Sequence, residues 1–462
     1  MVDQELESVR KEIQDITRRI IRLYADRQTK SRLVGEIKKV KGLVVKDSDV
    51  ERALKNVVLE ECNKVSLDAG QGLRLLNILV DSSIHVQGAN TGDEKENTPT
   101  IFDEAKKIER QGSDIIHLEI GEPDFEAPAA VVSEVQKSLR LGQARYTESG
   151  GIPELRNAIA GSYNDRSGLG VNSKEVIVTP GSRFGTFLAL QATIKPGSEV
   201  IIPEPAWPGY QNITEFIGGH PIMLHTNLDD QWSPTIDAIQ ENISDATDMI
   251  VLNYPNNPTG KIIEEDVLRG IVDLASDRDI TVLWDEAYVH YAFRPYKSIL
   301  QIPECRFIVL STFSKGYSMT GYRLGYALSD EETISKMIRT QNMTITSVPE
   351  FIQYGALKAF ETDDDVKQNA AQIKKRIEVA EKALRGLPIS YISPDGGLYV
   401  FMKVLNKDFD SYDFGIKLLK EKLVAVAPGT MFGPYNDHLR ISCCVNEEKL
   451  VSGIAHIGEL LS

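Results

Sequence analysis

The sequence predicts two domains of different fold class, an all-α domain at the N-terminus and an α/β domain with a mostly parallel sheet after it. Residues 5–41 contain no proline and repeat apolar side chains at the spacing of an amphipathic helix. Residues 88–99, GANTGDEKENTP, are polar and contain glycine, as a flexible tether does. Beyond them, apolar runs rich in β-branched residues alternate with helical stretches, which is typical of a parallel sheet with crossover helices. We therefore predict domains at residues 1–90 and 101–462, joined by a linker at 91–100.

Composition narrows the functions that the chain can have. The 462 residues carry a formal net charge of −15, which argues against broad binding to nucleic acid or to anionic membranes. The charge is uneven, because residues 1–90 contain 16 lysines and arginines against 14 acidic residues, a net of +2, and residues 91–462 carry −17. A mildly basic N-terminal domain suits an anionic ligand.

Cysteine usage and the first residues predict a cytoplasmic protein. The four cysteines are too few for a disulfide framework and form no Cys/His cluster with metal-ligand spacing, so we expect reduced thiols and no metal site. The opening MVDQELE lacks the apolar region of a signal peptide, and no run of 18 apolar residues predicts a membrane span.

The N-terminal domain is predicted to contain three helices. In the first, residues 5–41, the apolar positions are Leu6, Val9, Ile13, Ile16, Ile20 and Leu23. This helix exceeds the usual length in globular proteins, so we expect it to pair with a partner chain or with the later helices. Gly42 is expected to end it, and the second and third helices are predicted at residues 48–69 and 71–87.

Polar residues on these helices lie where they could form a site. Arg27 and Lys38 are eleven residues apart, so they project roughly 20° from each other around the helix axis. Arg10 projects roughly 100° away from Arg27, as it would if it served a neighbouring subunit. Two further pairs at i, i+4 spacing could each face one pocket: Asp47 with Glu51, and Ser83 with Gln87.

This pattern resembles the all-helical chorismate mutases over about residues 5–87. In that family two intertwined chains build each site together, so the resemblance implies a homodimer in which Arg10 comes from the partner chain. It also implies that Arg10 and Arg27 bind the two carboxylates of chorismate. The other substrate-binding positions of the family correspond to polar residues of this chain: Lys38, Asp47, Glu51, Ser83 and Gln87.

The implied roles suit a pericyclic rearrangement, which needs no nucleophile. It needs a folded dianion and hydrogen-bond donors where charge develops on the ether oxygen. The resemblance assigns that oxygen to Lys38 and Gln87, and the ring hydroxyl to Glu51. One position departs from the family, because Val50 stands where an arginine is usual. The alternative interpretation is a helical dimerisation or regulatory module without a working site.

The α/β domain is predicted to contain five strands that share an apolar, β-branched character: VIVTP (176–180), EVIIP (199–203), MIVLNYP (249–255), ITVLWDEAY (280–288) and FIVLSTFSK (307–315). Ligands of such sheets bind beyond the carboxyl ends of the strands. The candidate site residues below all follow such ends.

One lysine, Lys315, follows the last predicted strand in STFSKGYSMTGYRLGY, residues 311–326. A lysine amine becomes a covalent catalyst when it condenses with a carbonyl, and burial lowers its pKa enough to allow this. Thr312, Ser314 and Arg323 would suit an anionic anchor, because hydroxyls and guanidinium groups donate to phosphate oxygens. Taken alone, the stretch fits a solvent-facing loop equally well.

Other strand ends carry complementary groups. TPGSRFGTF (179–187) reads as strand, turn and helix, an arrangement that aims backbone N–H groups at a phosphate. Trp207 lies on a proline-bounded loop, where an indole could stack on a ring or pack in the core. Asn257 lies on a rigid turn in NYPNNPTG, where turn formation alone would also explain it. Asp285 ends an apolar strand, and a buried carboxylate there needs a cationic partner.

The motifs together resemble the class I/II aminotransferases, the pyridoxal-phosphate enzymes of the aspartate aminotransferase type, over about residues 100–462. Seven segments occur in that family's order: GEPDF (121–125), RYTESGGIPELR (145–156), PGSRFG, NNPTG, WDEAY, SKGYSMTGYRLG and LRIS (439–442). The resemblance implies fold type I, with a large cofactor domain at about 146–345 and a smaller α+β domain from 101–145 and 346–462. It also implies a homodimer.

The resemblance assigns the residues around the cofactor ring. Lys315 would bind the cofactor covalently and move a proton between substrate and cofactor. Asp285 would keep the pyridine nitrogen protonated, so that the ring accepts electrons. Asn257 and Tyr288 would bond the phenolic oxygen, and Trp207 would stack on the ring.

The remaining assignments concern the phosphate and the substrate. The residues implied to hold the phosphate are Ser182, Arg183, Thr312 and Arg323, helped by Tyr146 of the other subunit. Arg440 would bind the substrate α-carboxylate as a bidentate fork, a geometry that lysine cannot copy. Gly121 would let the backbone approach the substrate.

The two resemblances lead to a bifunctional enzyme of aromatic amino-acid biosynthesis. It would convert chorismate to prephenate and transaminate prephenate, phenylpyruvate or 4-hydroxyphenylpyruvate, with glutamate or aspartate as donor. One alternative is a plain aspartate aminotransferase with a helical dimerisation or sensor domain. Another is a regulator that binds pyridoxal phosphate without catalysis.

Overall fold

The computed structural model describes residues 2–43, 45, 48–87, 100–295 and 297–462. Two compact units make up the chain, residues Met1–Pro99 and Thr100–Ser462. Asp47 and residues 91–99 of the predicted linker lie outside the described residues.

The N-terminal unit is all-helical, with α1 (Val2–Lys41), α2 (Ser48–Val65) and α3 (Ala69–Val86). The three predicted helices are therefore confirmed, but the predicted end of the second at residue 69 is wrong. Ser66 has a φ of 54°, which breaks the helix, and Asp68 then caps α3 by accepting a 2.9 Å hydrogen bond from the Gln71 backbone N–H. The sequence signal for this helix start was Asp68, an aspartate two residues before a glycine-containing apolar run.

The long helix α1 presents most of its apolar side chains to the outside of its own unit. The six predicted apolar positions of α1, Leu6, Val9, Ile13, Ile16, Ile20 and Leu23, are each between 46% and 67% exposed. The buried apolar residues of the unit lie mainly on α3, where Leu73, Leu76 and Val80 are at most 9% exposed. A continuous exposed apolar stripe on a long helix indicates a surface that another chain covers.

Close contact between α1 and α3 depends on a glycine. A Cβ added to Gly35 would lie 2.7 Å from the backbone oxygen of Gln87, closer than real Cβ atoms approach. The backbones of α1 and the end of α3 therefore touch directly. This contact fixes where Gln87 lies along the axis of α1.

The second unit contains the remaining elements. Its helices are α4 (Ile101–Glu109), α5 (Ala129–Arg140), α6 (Pro153–Ser167), α7 (Ser182–Thr193), α8 (Gly209–Phe216), α9 (Ile236–Asn242), α10 (Glu265–Asp277), α11 (Glu331–Thr344), α12 (Glu350–Ala359), α13 (Asp363–Leu384), α14 (Ser411–Lys422) and α15 (Glu447–Leu461). Its strands are β1 (Ile116–His117), β2 (Val176–Thr179), β3 (Glu199–Glu204), β4 (His220–His225), β5 (Thr247–Asn253), β6 (Thr281–Asp285), β7 (Phe307–Thr312), β8 (Gly325–Leu328), β9 (Ile389–Tyr391), β10 (Tyr399–Val404), β11 (Val424–Ala425), β12 (Ala427–Pro428) and β13 (His438–Ser442).

A seven-stranded sheet in the order β2-β8-β7-β6-β5-β3-β4 forms the centre of this unit. The pairs β3–β4, β3–β5, β5–β6 and β6–β7 are parallel, whereas β8 runs antiparallel to both of its neighbours. The five predicted strands and the mostly parallel sheet are confirmed. Prediction missed β4 and β8, because β4 contains a proline and two histidines and β8, GYAL, contains no β-branched residue.

A second, four-stranded sheet, β12-β13-β10-β9, is antiparallel and packs against α13 and α15. Its core includes Tyr399, Leu439 and Ile441 from the strands, with Ile373 and Ile454 from the helices. Within the described residues, none of the helices is long and apolar enough to cross a membrane.

The Gly35 contact makes a testable prediction. Gly35→Ala should force α1 and α3 apart and destabilise the N-terminal unit by about 1–3 kcal/mol. Amide hydrogen exchange in α1 and α3 measures this local stability. The control is Gly161→Ala in α6, where the added Cβ meets nothing within 4 Å, and which should stabilise its helix by up to about 1 kcal/mol. Equal effects of the two substitutions would contradict the packing described for Gly35.

Candidate active site

A cavity of about 680 Å³ opens at the carboxyl ends of the central parallel strands. Ten predicted site residues line it: Gly121, Ser182, Arg183, Trp207, Asn257, Asp285, Tyr288, Thr312, Lys315 and Arg323. They come from six separate segments, and the parallel sheet brings these segments to one edge.

The Lys315 side chain reaches into the cavity from the turn after β7. Its Nζ donates a 2.6 Å hydrogen bond to the carbonyl oxygen of Gly121, which lies 194 residues away in sequence. Burial lowers the pKa of Lys315, and the guanidinium groups of Arg440 and Arg323 lower it further, against the opposing effect of Glu122. A lowered pKa favours the neutral amine, which is the form that can attack a carbonyl.

Asp285 ends β6, and its carboxylate is buried at the cavity wall. Tyr210 Oη donates a 2.7 Å hydrogen bond to Oδ2, and the Ala287 backbone N–H donates a 2.8 Å bond to Oδ1. Burial raises the pKa of Asp285 to about 6, although both hydrogen bonds oppose the shift. A buried carboxylate without a cationic partner is unfavourable. Asp285 is therefore prepared for a ligand group that carries a proton.

The N-terminus of α7 and the turn after β7 form an anion cradle. Gly181 precedes α7 with a φ of 79° and leaves the helix start without a side-chain cap. A Cβ on Gly181 would lie 2.7 Å from the Arg323 guanidinium, so only glycine lets this cation reach the free N–H groups. The Thr312 and Ser314 hydroxyls, 2.9 Å apart, face the same cavity. Helix N–H groups, hydroxyls and a guanidinium match the oxygens of a phosphate.

Arg440 lies on β13 behind the cavity and is 6% exposed. Its Nη1 donates a 2.9 Å hydrogen bond to Asn257 Oδ1, and its Nη2 donates to the Glu119 carbonyl. The guanidinium also lies 4.1 Å from the Tyr399 ring centroid. Its Nε has no hydrogen-bond partner among the residues that the structure describes. Buried, oriented and incompletely satisfied, Arg440 is suited to a carboxylate.

Tyr288 and Gly121 both contact Tyr399, which was not predicted as a site residue. The Tyr288 and Tyr399 hydroxyls are 2.9 Å apart, and burial raises the pKa of both phenols. A Cβ on Gly121 would lie 1.7 Å from Tyr399 Oη. Gly121 is therefore required because its backbone packs directly on this phenol.

Trp207 and Arg183 lie together at the cavity wall. The Arg183 guanidinium carbon is 5.1 Å from the Trp207 ring centroid, and the Tyr210 ring meets the indole edge-on at 5.1 Å. Arg183 therefore stacks on the indole while it lines the cavity.

Tyr146 is not among the residues that line the cavity, and it is 87% exposed. The sequence analysis expected it to act in the site of another subunit. That role stays a prediction.

Several lining residues were missed by sequence reasoning: Phe102, Ile120, Glu122, Tyr210, Asn253, Ala287, Ser314 and Thr320. Ser314 was named as a neighbour of Lys315 but not selected for the site. Tyr210 lies three residues after Trp207, at the end of the same proline-bounded loop, so its position was a usable signal. Phe102 and Ile120 have no local motif that marks them.

The N-terminal unit brings together part of its predicted site. Arg27 Nη1 donates to Ser83 Oγ and to the Leu79 carbonyl, and burial lowers the pKa of Arg27. Lys38 Nζ donates a 2.6 Å hydrogen bond to the Val45 carbonyl. The Gln87 amide has its Oε1 buried without a hydrogen-bond partner among the described residues.

The other described residues that were predicted for this site are Arg10 and Glu51. Arg10 is exposed and pairs with Glu7 at 3.0 Å on the same helix. Glu51 is half-buried on α2. The role expected for Arg10 needs a second chain and is not tested within one.

A mostly parallel sheet that delivers a buried lysine, a buried aspartate and an anion cradle to one cavity defines a fold type I transferase. The chain belongs to the class I and II aminotransferases, whose family model matches residues 113–457. Members of this family bind pyridoxal phosphate. The model for chorismate mutase type II matches residues 9–88. Both family resemblances are thus confirmed, and together they support a bifunctional enzyme of aromatic amino-acid biosynthesis.

Individual relatives agree with the family assignment. The chain is 33% identical to an aspartate aminotransferase of Pyrococcus horikoshii, over 78% of this chain and 93% of that protein. It is 32% identical to a probable aspartate/prephenate aminotransferase of Aquifex aeolicus, over 79% and 95%. The crystal structure of an aspartate aminotransferase from Thermotoga maritima superposes with a TM-score of 0.75 at 31% identity, covering 79% of this chain and 98% of that one.

The buried carboxylate of Asp285 leads to a prediction for the cofactor-free protein. Its pKa is raised from 3.8 to about 6, so the folded state holds a proton that the unfolded state has released. Relative to Asp285→Asn, the wild-type protein should lose about 3 kcal/mol of unfolding free energy as the pH rises between these two values. Denaturant unfolding of both proteins across this range measures the difference.

A matched variant sharpens this measurement. Tyr210→Phe removes a hydrogen bond that lowers the pKa of Asp285, so the loss should extend to higher pH. Identical pH dependence of wild type and Asp285→Asn would contradict the burial assigned to this carboxylate.

Proposed function

We propose that the chain rearranges chorismate to prephenate in its N-terminal unit and transaminates an aromatic-pathway 2-keto acid in its second unit. The observation that carries the proposal is the convergence of Lys315, Asp285 and Asn257 on one cavity, with Arg440 hydrogen-bonded to Asn257 behind it. The match to chorismate mutase type II in the same chain indicates the pathway to which the keto acid belongs.

In the mutase half, cations and hydrogen-bond donors select the reactive conformer. Arg27 and the partner's Arg10 bind the two carboxylates of chorismate. Lys38 and Gln87 donate to the ether oxygen as its bond breaks, where a positioned donor is worth most. The hydrogen bond that Arg27 Nη1 donates to Ser83 Oγ supports this site. The further substrate contacts are assigned to Asp47, Glu51 and Ser83.

In the aminotransferase half, the residues present fit pyridoxal phosphate. The uncapped α7 start matches its phosphate, together with the side chains of Ser182, Arg183, Thr312 and Arg323. Trp207 offers a flat face for the ring. Among the described residues, no cation offsets the burial of the Asp285 carboxylate, and a protonated pyridine nitrogen would supply one. Asn257 and Tyr288 can reach the phenolic oxygen.

The proton chemistry rests on Lys315. When bound, the cofactor supplies an aldehyde for the substrate amine and a ring that accepts the electrons of the Cα–H bond. Lys315 Nζ, whose pKa burial lowers, would take the proton from the substrate Cα and deliver it to the cofactor carbon that carried the aldehyde. Asp285 holds the proton on the pyridine nitrogen. Arg440 binds the α-carboxylate and so orients the Cα–H bond toward the amine.

A homodimer follows from both halves of the proposal. The exposed apolar stripe on α1 matches a surface that a second copy covers, and Arg10 is exposed on the same helix. Tyr146, also exposed, would complete the phosphate site of the partner subunit.

The acceptor is one of the 2-keto acids that follow chorismate. Prephenate is the direct product of the mutase and is itself a 2-keto acid, so its amination would give arogenate. Phenylpyruvate and 4-hydroxyphenylpyruvate are the other candidates, and glutamate or aspartate is the donor. The name of the Aquifex aeolicus relative, a probable aspartate/prephenate aminotransferase, favours prephenate with aspartate.

A second candidate is a plain aspartate aminotransferase in which the helical unit only dimerises or senses an effector. The Pyrococcus and Thermotoga relatives, both aspartate aminotransferases, favour it. So does Val50, which stands where the mutase family usually has an arginine. The two candidates differ in whether chorismate is consumed.

A product assay with two matched variants separates the candidates. Wild-type protein with chorismate, aspartate and pyridoxal phosphate should consume chorismate and form an aromatic-pathway amino acid. Arg27→Ala should abolish chorismate loss and leave transamination of added keto acid unchanged, whereas Lys315→Ala should do the reverse. Mass spectrometry of the products distinguishes arogenate from phenylalanine and tyrosine. Chorismate that persists with wild type would favour the second candidate, and no keto-acid exchange would contradict the catalytic proposal.

Subunit complementation tests the shared mutase site. Arg10→Ala and Arg27→Ala homodimers should each be inactive on chorismate. After subunit exchange, half of the dimers are mixed and each contains one intact site, so roughly a quarter of wild-type activity should return. The unmixed variants, treated identically, are the control. If mixing restores nothing although exchange has occurred, Arg10 does not act across the dimer.

A further inference from the structure

Residues 118–128 cross the cavity without forming a helix or strand, and we call them the crossing segment. Three of its residues contact the site. The Gly121 carbonyl accepts from Lys315 Nζ at 2.6 Å, and the Glu119 carbonyl accepts from Arg440 Nη2. The Glu122 carboxylate accepts a hydrogen bond from Thr320 Oγ1. The crossing segment thus sets the position of the carbonyl acceptors for Lys315 and Arg440.

The near end of the crossing segment is fixed by backbone pairing. The Leu118 N–H donates to the Ala425 carbonyl at 2.9 Å, and the Leu118 carbonyl accepts from the Ser442 N–H at 2.7 Å. These bonds extend the pairing of β1 with β11 and connect it to β13, the strand that carries Arg440. These bonds do not hold the part of the segment that lies beyond Glu119.

The far attachment is at Asp124. Its backbone N–H donates to the Cys444 carbonyl at 3.1 Å. Its carboxylate accepts two hydrogen bonds from Arg376 on α13, Oδ1 from Nη1 at 2.6 Å and Oδ2 from Nη2 at 3.2 Å. We call this bidentate pair the Asp124–Arg376 clasp.

The two partners of the clasp differ in burial. The Arg376 side chain is 9% exposed and the Asp124 side chain 38%. The Arg376 guanidinium also lies 4.9 Å from the Phe125 ring centroid, so it contacts two consecutive residues of the crossing segment. A buried guanidinium needs its partner, and a bidentate pair fixes direction as well as distance. The attachment is therefore rigid from the α13 side.

We propose that Asp124 and Arg376 are positioning residues, whose clasp holds the crossing segment so that Gly121 and Glu119 present their carbonyls to Lys315 and Arg440. The inference rests on the aminotransferase function proposed above. Gly121 cannot compensate by shifting toward Tyr399, because its Cα already packs against that phenol. If the attachment at Asp124 is loosened, the segment can therefore move only away from the cavity. This movement disturbs Arg440, the arginine that binds the carboxylate.

Substrate binding should respond more strongly than turnover. Arg440 binds the α-carboxylate, and it would lose a fixed acceptor for Nη2, which orients its fork. We expect Asp124→Asn, nearly isosteric, to raise KM for both substrates roughly tenfold, while kcat falls less than about threefold. Arg376→Lys keeps the charge but not the fork, and should fall between wild type and Arg376→Met.

The test adds two readouts that do not depend on turnover. One is the dissociation constant of maleate, a dicarboxylate without an amine, which should weaken roughly tenfold in Asp124→Asn. The other is limited proteolysis, in which cleavage within residues 118–128 should become faster. The control is Lys375→Met on the same helix, which breaks an exposed 2.7 Å pair with Glu447 and should leave all readouts at wild-type values.

The outcomes distinguish the clasp from the function on which it rests. Wild-type transamination with unchanged KM, maleate affinity and proteolysis in Asp124→Asn would overturn the clasp and leave the function standing. Equal losses in Lys375→Met, or losses that track a lowered unfolding temperature, would overturn it too. Wild-type protein that neither binds maleate nor exchanges keto acids would overturn the function itself.

Discussion

The contact between the Lys315 amine and the Gly121 carbonyl is the constraint on which the candidate active site depends. It joins the turn after the central strand β7 to a segment 194 residues earlier, and it holds the amine inside the cavity, where burial lowers its pKa. The contact exists only because Gly121 lacks a Cβ and can pack on Tyr399. Tyr399 in turn contacts the Tyr288 hydroxyl and the Arg440 guanidinium. One glycine therefore couples the amine, the phenol and the carboxylate-binding arginine.

The electrostatics of the cavity oppose those of the whole chain. Residues 91–462 carry a net charge of −17, yet the described cavity lining includes Lys315, Arg183 and Arg323, with Arg440 directly behind it. An acidic exterior with a basic cavity selects small anions and disfavours polyanions such as nucleic acid. The acidic residues of that lining are Glu122 and Asp285, and burial raises the pKa of Asp285, as is common for functional groups.

The sequence predicted those parts of the fold and site that depend on local pattern. Lys315, Asp285 and Asn257 were predicted to converge because each follows a parallel strand, and the sheet brings such ends together. Tyr399 was missed because its contacts with Gly121 and Tyr288 arise from packing between distant segments. The end of α2 was mispredicted because the cap at Asp68 overrode the helical spacing.

Other predictions depend on more than one chain. Arg10 and Tyr146 are exposed here, and their expected roles belong to a neighbouring subunit. The exposed apolar stripe on α1 is the surface that a second chain would cover in the proposed dimer. Helical periodicity alone identifies such a stripe but not what covers it.

The central claim is that Lys315 is the amine that holds the cofactor. Borohydride reduction of the protein with bound pyridoxal phosphate, followed by proteolysis and mass spectrometry, identifies the attached residue directly. The account predicts the cofactor-derived mass on the peptide that contains Lys315, and its loss in Lys315→Ala. Attachment to another lysine, or no attachment at all although cofactor is bound, would contradict it.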